Sequence, residues 1–218
     1  MASFTVSPTR RGFLGGVALA LLTARVAGAA IPPHTALAAA DQADLDRIQA
    51  YLNGIKTVTG KFEQTNPDGS VETGTVWLSR PGKMRFEYDP PAQLLIVCDG
   101  DFIEVNDKSL DDIQFVPVKD TPAWLILRDG IALSGDVTVT NFERGPKTFR
   151  VTAVQSNDQS DSSLTMVFSD DPLALRQWTV TDPQGRGTKV ALVDLRDAGN
   201  LTRDLFVLPD RNKHKRTR

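Results

Sequence analysis

Residues 71–99 run VETGTVWLSRPGKMRFEYDPPAQLLIVCD and read as three strands joined by two proline-marked turns. Val76, Trp77 and Leu78 end the first strand, and Arg80-Pro81-Gly82-Lys83 makes a turn. Met84, Phe86 and Tyr88 alternate along the second strand, Asp89-Pro90-Pro91 breaks it, and 94–97 form a near-continuous apolar third. Large apolar side chains flank one arginine at a strand end. The sheet is therefore expected to line a greasy pocket, not a reaction centre.

The same two-residue period extends in both directions. Strands are expected near 58–65, 71–79, 83–89, 93–98, 101–106 and 112–117, then near 136–142, 147–154, 163–169, 173–181 and 187–195. Turn residues separate them, among them Asn66-Pro67-Asp68-Gly69, Asp99-Gly100, Gly145-Pro146, Asn157-Asp158, Asp170-Asp171-Pro172 and Asp182-Pro183-Gln184-Gly185. Connections this short join antiparallel neighbours. Eleven antiparallel strands curl strongly, and a barrel or half barrel is the natural way to manage their edges. The fold class is mainly β.

A helix is expected over 41–56, where Leu45, Ile48, Leu52 and Ile55 recur at three- and four-residue spacing. Asp41, Asp44 and Asp46 lie near its start, where the helix dipole favours acids. Residues 121–127, TPAWLIL, read as a short helix capped by Thr121 with Pro122 at its first position. That helix is apolar all round, so it must be covered or must cover something greasy. A further helical turn is expected at 131–134, and a short helix or extended end at 201–208. Without internal repeats or linkers, 39–210 reads as one domain.

The composition excludes much chemistry. Only two histidines occur, His34 and His214, both outside the body, which removes Ser-His-Asp, Cys-His and histidine metal sites. Cys98 is the single cysteine, unable to form an intrachain disulfide, set deep in an apolar strand as a small buried hydrophobe, and too far from the N-terminus to be the lipid-attachment cysteine of a signal peptide. No phosphate loop or dinucleotide fingerprint is present. Carboxylate pairs such as Asp111-Asp112 and Asp170-Asp171 fall in turns, where acids are usually solvated. No enzyme activity, cofactor or metal is expected. Over 39–210, 17 basic residues face 27 acids, a net charge of −10 that repels phosphate backbones and excludes nucleic acid.

Both ends differ from the body. Thr9-Arg10-Arg11-Gly12-Phe13-Leu14 precedes a mild apolar run over 13–22, and Ala36-Leu37-Ala38 offers a cleavage site. This pattern resembles a twin-arginine export signal over 1–38 and places the mature protein in the periplasm. The run is too short to span a bilayer of ~30 Å. The tail at 211–218, RNKHKRTR, has five basic residues and no acid. It reads as a solvated end, with contact to an anionic membrane as the alternative.

Two strand registers are open at Arg80. An even-length turn groups Trp77 and Ser79 with Met84, Phe86 and Tyr88, leaving Arg80 among Lys83, Arg85 and Glu87 on a wet face. An odd-length turn puts Val76, Leu78 and Arg80 beside Met84 and Phe86, so that Arg80 points into an apolar concavity and needs acceptors there. Periodicity alone favours the wet face.

The order and spacing of several segments resemble the periplasmic outer-membrane lipoprotein carrier family, the LolA type, over roughly 43–208. They are Lys61-Phe62-Glu63-Gln64, Gly74-Thr75-Val76-Trp77-Leu78-Ser79-Arg80-Pro81, Lys83-Met84-Arg85-Phe86-Glu87-Tyr88, Leu95-Ile96-Val97-Cys98-Asp99-Gly100 and Thr121-Pro122 before Leu125-Ile126-Leu127. The resemblance implies an eleven-stranded antiparallel half barrel, closed by the long N-terminal helix and short lid helices, with a cavity for acyl chains. It implies that Arg80 bonds to the lid helix and helps set the closed state, which favours the odd-length turn. Met84 stands where some members carry an aromatic at the mouth. Cavity and lid residues are then expected to be Val76, Trp77, Leu78, Arg80, Met84, Phe86, Leu94, Ile96, Phe102, Phe115, Pro122, Trp124, Leu125 and Ile126.

The implied function is a monomeric periplasmic carrier of acylated lipoproteins. An inner-membrane ABC-type release complex would be the donor, and an outer membrane with a possible acceptor the destination. The competing expectations are a non-catalytic sensor of lipids or mislocalised lipoproteins on the same fold and, more remotely, a carboxylate-dependent hydrolase of envelope lipids.

Overall fold

The computed structural model describes residues 39–157 and 161–208; the export signal expected at 1–38 and the basic tail at 211–218 lie outside the described residues. Helix α1 (Ala39–Gly54) buries Leu45, Ile48 and Leu52 along one stripe. It begins and ends two residues before the expected span.

Eleven strands follow: β1 (Thr57–Thr65), β2 (Val71–Ser79), β3 (Lys83–Tyr88), β4 (Leu94–Asp99), β5 (Phe102–Asp107), β6 (Asp112–Pro117), β7 (Val137–Arg144), β8 (Thr148–Gln155), β9 (Ser163–Ser169), β10 (Ala174–Thr181) and β11 (Gly187–Asp197). Helix α2 (Trp124–Leu127) lies between β6 and β7. The strands form one antiparallel sheet in the order β6-β5-β4-β3-β2-β1-β11-β10-β9-β8-β7. Two meanders are thus zipped together along β1 and β11.

The sheet is curled, and side-chain distances show it. Phe86 on β3 and Trp178 on β10 stand four strand spacings apart, ~19 Å in a flat sheet. Their ring centroids lie 6.0 Å apart. Phe62, Phe86 and Tyr88 from one half share a core with Phe149, Met166 and Phe168 from the other, under the stripe of α1. Ion pairs hold the start of α1: Arg144 on β7 contacts Asp41 and Asp44, and Arg47 reaches Asp170. Such exposed pairs are worth ~1 kcal/mol at most, so the apolar stripe carries the attachment. Tyr51 adds a specific contact, its hydroxyl accepting the Leu175 N–H at 3.0 Å beside the bulge in β10.

The outer face of β4 is covered too. Phe206 and Leu208, in and after a 3-10 turn at Arg203–Phe206, pack on Leu95 and Val97. Burial on both faces explains why 94–97 lack polar alternation.

Two local expectations fail. Thr121 does not cap α2, because its Oγ1 donates back to Val118 O at 2.9 Å and Ala123 takes the cap position. Residues 131–134 form no helical turn; Ile131 and Leu133 instead bond to side chains of α1.

Gly74 on β2 pairs with Phe62 on one side and Tyr88 on the other, and those rings meet at 5.0 Å. A Cβ there would lie 2.2 Å from Glu87 O and 2.5 Å from Phe62 Cε1. Gly74→Ala is expected to cost about 1–3 kcal/mol, read as a lower urea midpoint at unchanged slope. Gly54→Ala is the control, since its Cβ meets nothing within 4 Å at the end of a helix. It should leave stability unchanged or raise it by up to about 1 kcal/mol.

Candidate functional site

The β2–β3 turn is three residues long, Arg80-Pro81-Gly82, with Gly82 at φ 84°. A three-residue hairpin loop favours such a left-handed position. Its odd length pairs Leu78 with Met84 and Val76 with Phe86. The wet-face register favoured by periodicity is therefore not the one observed.

Arg80 lies at the inner end of this hairpin. Its Nη1 donates to Leu52 O in the last turn of α1, and its Nη2 donates to Arg128 O, at the end of α2, at 2.8 Å. The backbone is tied as well: Arg80 N–H donates to Lys56 O and Gly82 N–H to Leu127 O, both at 2.8 Å. One cation thus sits at the carbonyl ends of two helices, where their dipoles favour positive charge. Hydrogen bonds of this charge-assisted kind are worth about 1.5–3 kcal/mol each. Burial lowers the Arg80 pKa from its ordinary value, and the charge of Asp129 opposes that shift. An arginine stays protonated under such a shift.

Beneath this contact is a cavity of about 190 Å³. Val76, Leu78, Met84, Phe86 and Ile96 form one wall, and Ala123, Ile126 and Leu127 of the α2 region the cover. Leu52 and Ile55 close the helix side. The opposite wall comes from the second meander through Leu164, Leu175, Trp178, Val180, Val190 and Leu192. Among the described residues Arg80 is the only charged side chain in the lining; Gln64, Tyr88 and Thr188 add polar groups at the other end of the strands. There Tyr88 donates to Gln64 Oε1 at 2.8 Å and Gln64 Nε2 to Asn66 Oδ1 at 2.7 Å. At ~24 cal/mol per Å³, leaving such a volume empty forgoes about 4–5 kcal/mol of packing. The protein holds open a space that an ordinary core would fill.

The structure divides the expected site residues. Val76, Leu78, Arg80, Met84, Phe86, Ile96 and Ile126 converge on the cavity. Leu94 packs at the margin of the same core. Pro122, Trp124 and Leu125 border a small cleft between α2 and β8–β9. Trp124 also stacks under Arg128, 4.2 Å from its guanidinium carbon, and Arg128 pairs with Asp136 at 2.7 Å. Three placements are corrections. Trp77 faces outward, packed with the Phe206 cluster and 6.0 Å from the Arg85 guanidinium, because the odd-length turn puts Leu78, and not Trp77, on the face of Met84 and Phe86. Phe115 is 52% exposed on edge strand β6, where no further strand covers it. Phe102, 40% exposed, borders an open crevice with Asp101, Lys119 and Asp129 instead of the cavity.

The residues missed are those of the second meander and of α1. Their signal was the alternation Leu164-Met166-Phe168 and Val190-Leu192, but nothing local says which strands share a cavity. Among the described residues no acid lines the cavity, and no cluster of His, Cys, Asp or Glu is arranged to hold a metal. Asp170 is engaged by Arg47. Cys98 packs against Leu127 and Val118, and burial pushes its thiol up to about 11, far from a reactive thiolate at neutral pH.

The family described as "Outer membrane lipoprotein carrier protein LolA" matches residues 53–209. An outer-membrane lipoprotein carrier protein of Chromohalobacter salexigens is 29% identical over 76% of this chain and 83% of its own length. One of Pseudomonas paraeruginosa is 28% identical over 81% of this chain and 91% of its own. Among solved structures, a LolA superfamily protein of Nitrosomonas europaea is similar at 9% identity and a TM-score of 0.44, covering 75% of this chain and 97% of its own.

The buried thiol sets an alkaline limit. Folded Cys98 keeps its proton to about 11, against 9.0 for a free thiol, so the folded state binds the proton more tightly. Its contribution is complete below pH 9 and is lost as pH rises towards 11. Burial also raises the Tyr88 hydroxyl, which adds loss in the same direction above pH 10. Urea unfolding at pH 8, 9 and 10 should show falling stability, with a shallower fall in Cys98→Ala.

Proposed function

Since the chain belongs to the LolA family of outer membrane lipoprotein carrier proteins, we propose that its cavity shields lipoprotein acyl chains in the periplasm and moves them from the inner to the outer membrane. As a member of that family it is a non-enzymatic lipoprotein carrier. The donor in this reading is an inner-membrane ABC-type release complex, and the cargo leaves at the outer membrane, to an acceptor or to the membrane itself.

The observation that carries the reading is an apolar cavity under a cover whose only charged anchor among the described residues is Arg80. Each methylene taken from water into such a space is worth ~0.8 kcal/mol, so several acyl chains in water cost tens of kcal/mol. A carrier has to offset most of that and still release. The closed cavity of about 190 Å³ is smaller than the ~300–1,000 Å³ of sites that enclose a whole ligand. Full loading therefore needs α2 to move away from Arg80. A state preference of a few kcal/mol is one that cargo or a membrane partner can reverse. The export signal expected at 1–38 fits the compartment.

Mature protein added to spheroplasts that display an inner-membrane lipoprotein should bring that lipoprotein into the soluble fraction. Absence of release in the presence of an active donor complex overturns the reading. Within the cavity, a fatty acid brominated along its chain should quench tryptophan emission. Trp178→Phe should abolish most of that quenching, because Trp77 lies on the outer face and Trp124, in α2, borders the cleft towards β8–β9 instead of the cavity.

Arg80→Leu removes the guanidinium's bonds to Leu52 O of α1 and to Arg128 O at the end of α2 while leaving an apolar residue in an apolar place. It should lower lipoprotein transfer about tenfold or more, the equivalent of ~1.4 kcal/mol, with a smaller effect on the unfolding midpoint. Transfer at the wild-type rate would show that Arg80 does not govern the cover.

A further inference from the structure

The chain beyond α2 is held by a different device from the one that holds α2. A single side chain of α1 takes both backbone groups of Ile131: Asn53 Oδ1 accepts its N–H at 2.8 Å, and Asn53 Nδ2 donates to its carbonyl at 2.8 Å. Two residues on, the Leu133 N–H donates to Gln49 Oε1 at 2.9 Å. Gln49 and Asn53 lie four residues apart on one face of α1 and are themselves linked, Asn53 Nδ2 donating to Gln49 O at 3.0 Å. Two amide side chains thus imitate the edge of a strand, and 131–133 pair with them.

This clamp adjoins the cover but is separate from it. Arg80 holds Arg128 O and Asn53 holds Ile131, leaving only Asp129 and Gly130 between the two anchor points. Gly130 has φ +60°, and a Cβ there would meet nothing within 4 Å. A left-handed glycine in open space is free to change its backbone angles. Ile131 itself is buried and lines the cavity. At the other end of the cover, Val118 is fixed by its N–H to Asp101 O at 2.9 Å, and Thr121 Oγ1 folds back onto Val118 O.

We propose that Asn53 is a positioning residue for ligand retention: it fixes Ile131 in the cavity wall as the post about which α2 swings, with Gly130 as the hinge. The moving part is then 119–130, and release of Arg80 opens it without loosening 131–133. The retention role rests on the carrier reading of the cavity; the hinge does not.

Amide hydrogen exchange tests the hinge without any ligand. In Arg80→Leu, the amides of Leu127 and Arg128 should exchange at least tenfold faster while those of Ile131 and Leu133 keep their protection. In Asn53→Leu, a change of similar size that removes both bonds to Ile131, protection should fall at Ile131 and Leu133. Equal acceleration of all four amides in Arg80→Leu overturns the hinge. Retention is read as the rate at which a bound brominated stearate leaves, followed through recovery of Trp178 emission far below the unfolding range. Asn53→Leu should raise that rate about tenfold, and a wild-type rate despite lost protection at Ile131 overturns the retention role. Should wild type show no quenching at all, the carrier reading of the cavity and with it the retention role fall, and the exchange pattern alone decides the hinge. If Asn53→Leu does not fold, Gln49→Met, which removes only the Leu133 bond, carries the same measurements with a smaller expected change.

Discussion

The first meander ends at β6 on one edge of the sheet and the second begins at β7 on the other, so the nineteen residues 118–136 must cross the open face. In a flat sheet those edges would stand ~48 Å apart. Curling draws the two halves over a common interior, and the connector with its helical turns becomes the cover. Much else follows from this. The cover is a consequence of strand order, α1 fills the remaining gap on the same side, and the interior is walled by residues far apart in the chain.

A cover made of a connector has little of its own to hold it down. Helix α2 has four residues and no side-chain cap. Its fixed points are borrowed: the Arg80 guanidinium and the Gly82 N–H from the β2–β3 turn, and the amides of Gln49 and Asn53 from α1. These bonds end on backbone groups, so they specify position without demanding particular side chains on the cover itself. The apolar residues it presents downwards, Ala123, Ile126 and Leu127, are then free to serve the cavity. The two attachments differ in kind. Arg80 is one cation reaching two carbonyls across an apolar space, whereas Asn53 makes a matched donor–acceptor pair with one residue.

The cavity wall is apolar along most of its length because its polar groups are kept to the ends. Arg80 occupies one end and Gln64 with Tyr88 the other, each bonded to protein groups. The acids that give the body its negative charge lie elsewhere, several at turns or paired with arginines on the surface, as with Asp182 and Arg186. An empty apolar volume costs packing energy, and the dense aromatic cluster of Phe62, Phe86 and Tyr88 over Gly74 lies beside it as rigid support.

Alternation of apolar and polar residues, together with Pro, Gly and Asp at turns, placed all eleven strands within about two residues of their ends, since both signals act between near neighbours in the chain. The spacing of Leu45, Ile48 and Leu52 gave α1, the lack of histidine in the body removed most catalytic schemes, and the segments from Lys61 to Leu127 carried the family resemblance. Faces were harder. Side chains in a strand have a period of two, so the parity of one turn decided whether Leu78 or Trp77 faced the cavity, and both are apolar because the segment around Phe206 covers the outer side. Exposure of Phe102 and Phe115 depends on β6 being an edge, and membership of Leu164, Trp178 and Val190 in the wall depends on β1 pairing with β11. Those are contacts between distant parts of the chain; local patterning encodes which residues avoid water, and only the closed sheet determines what they meet instead.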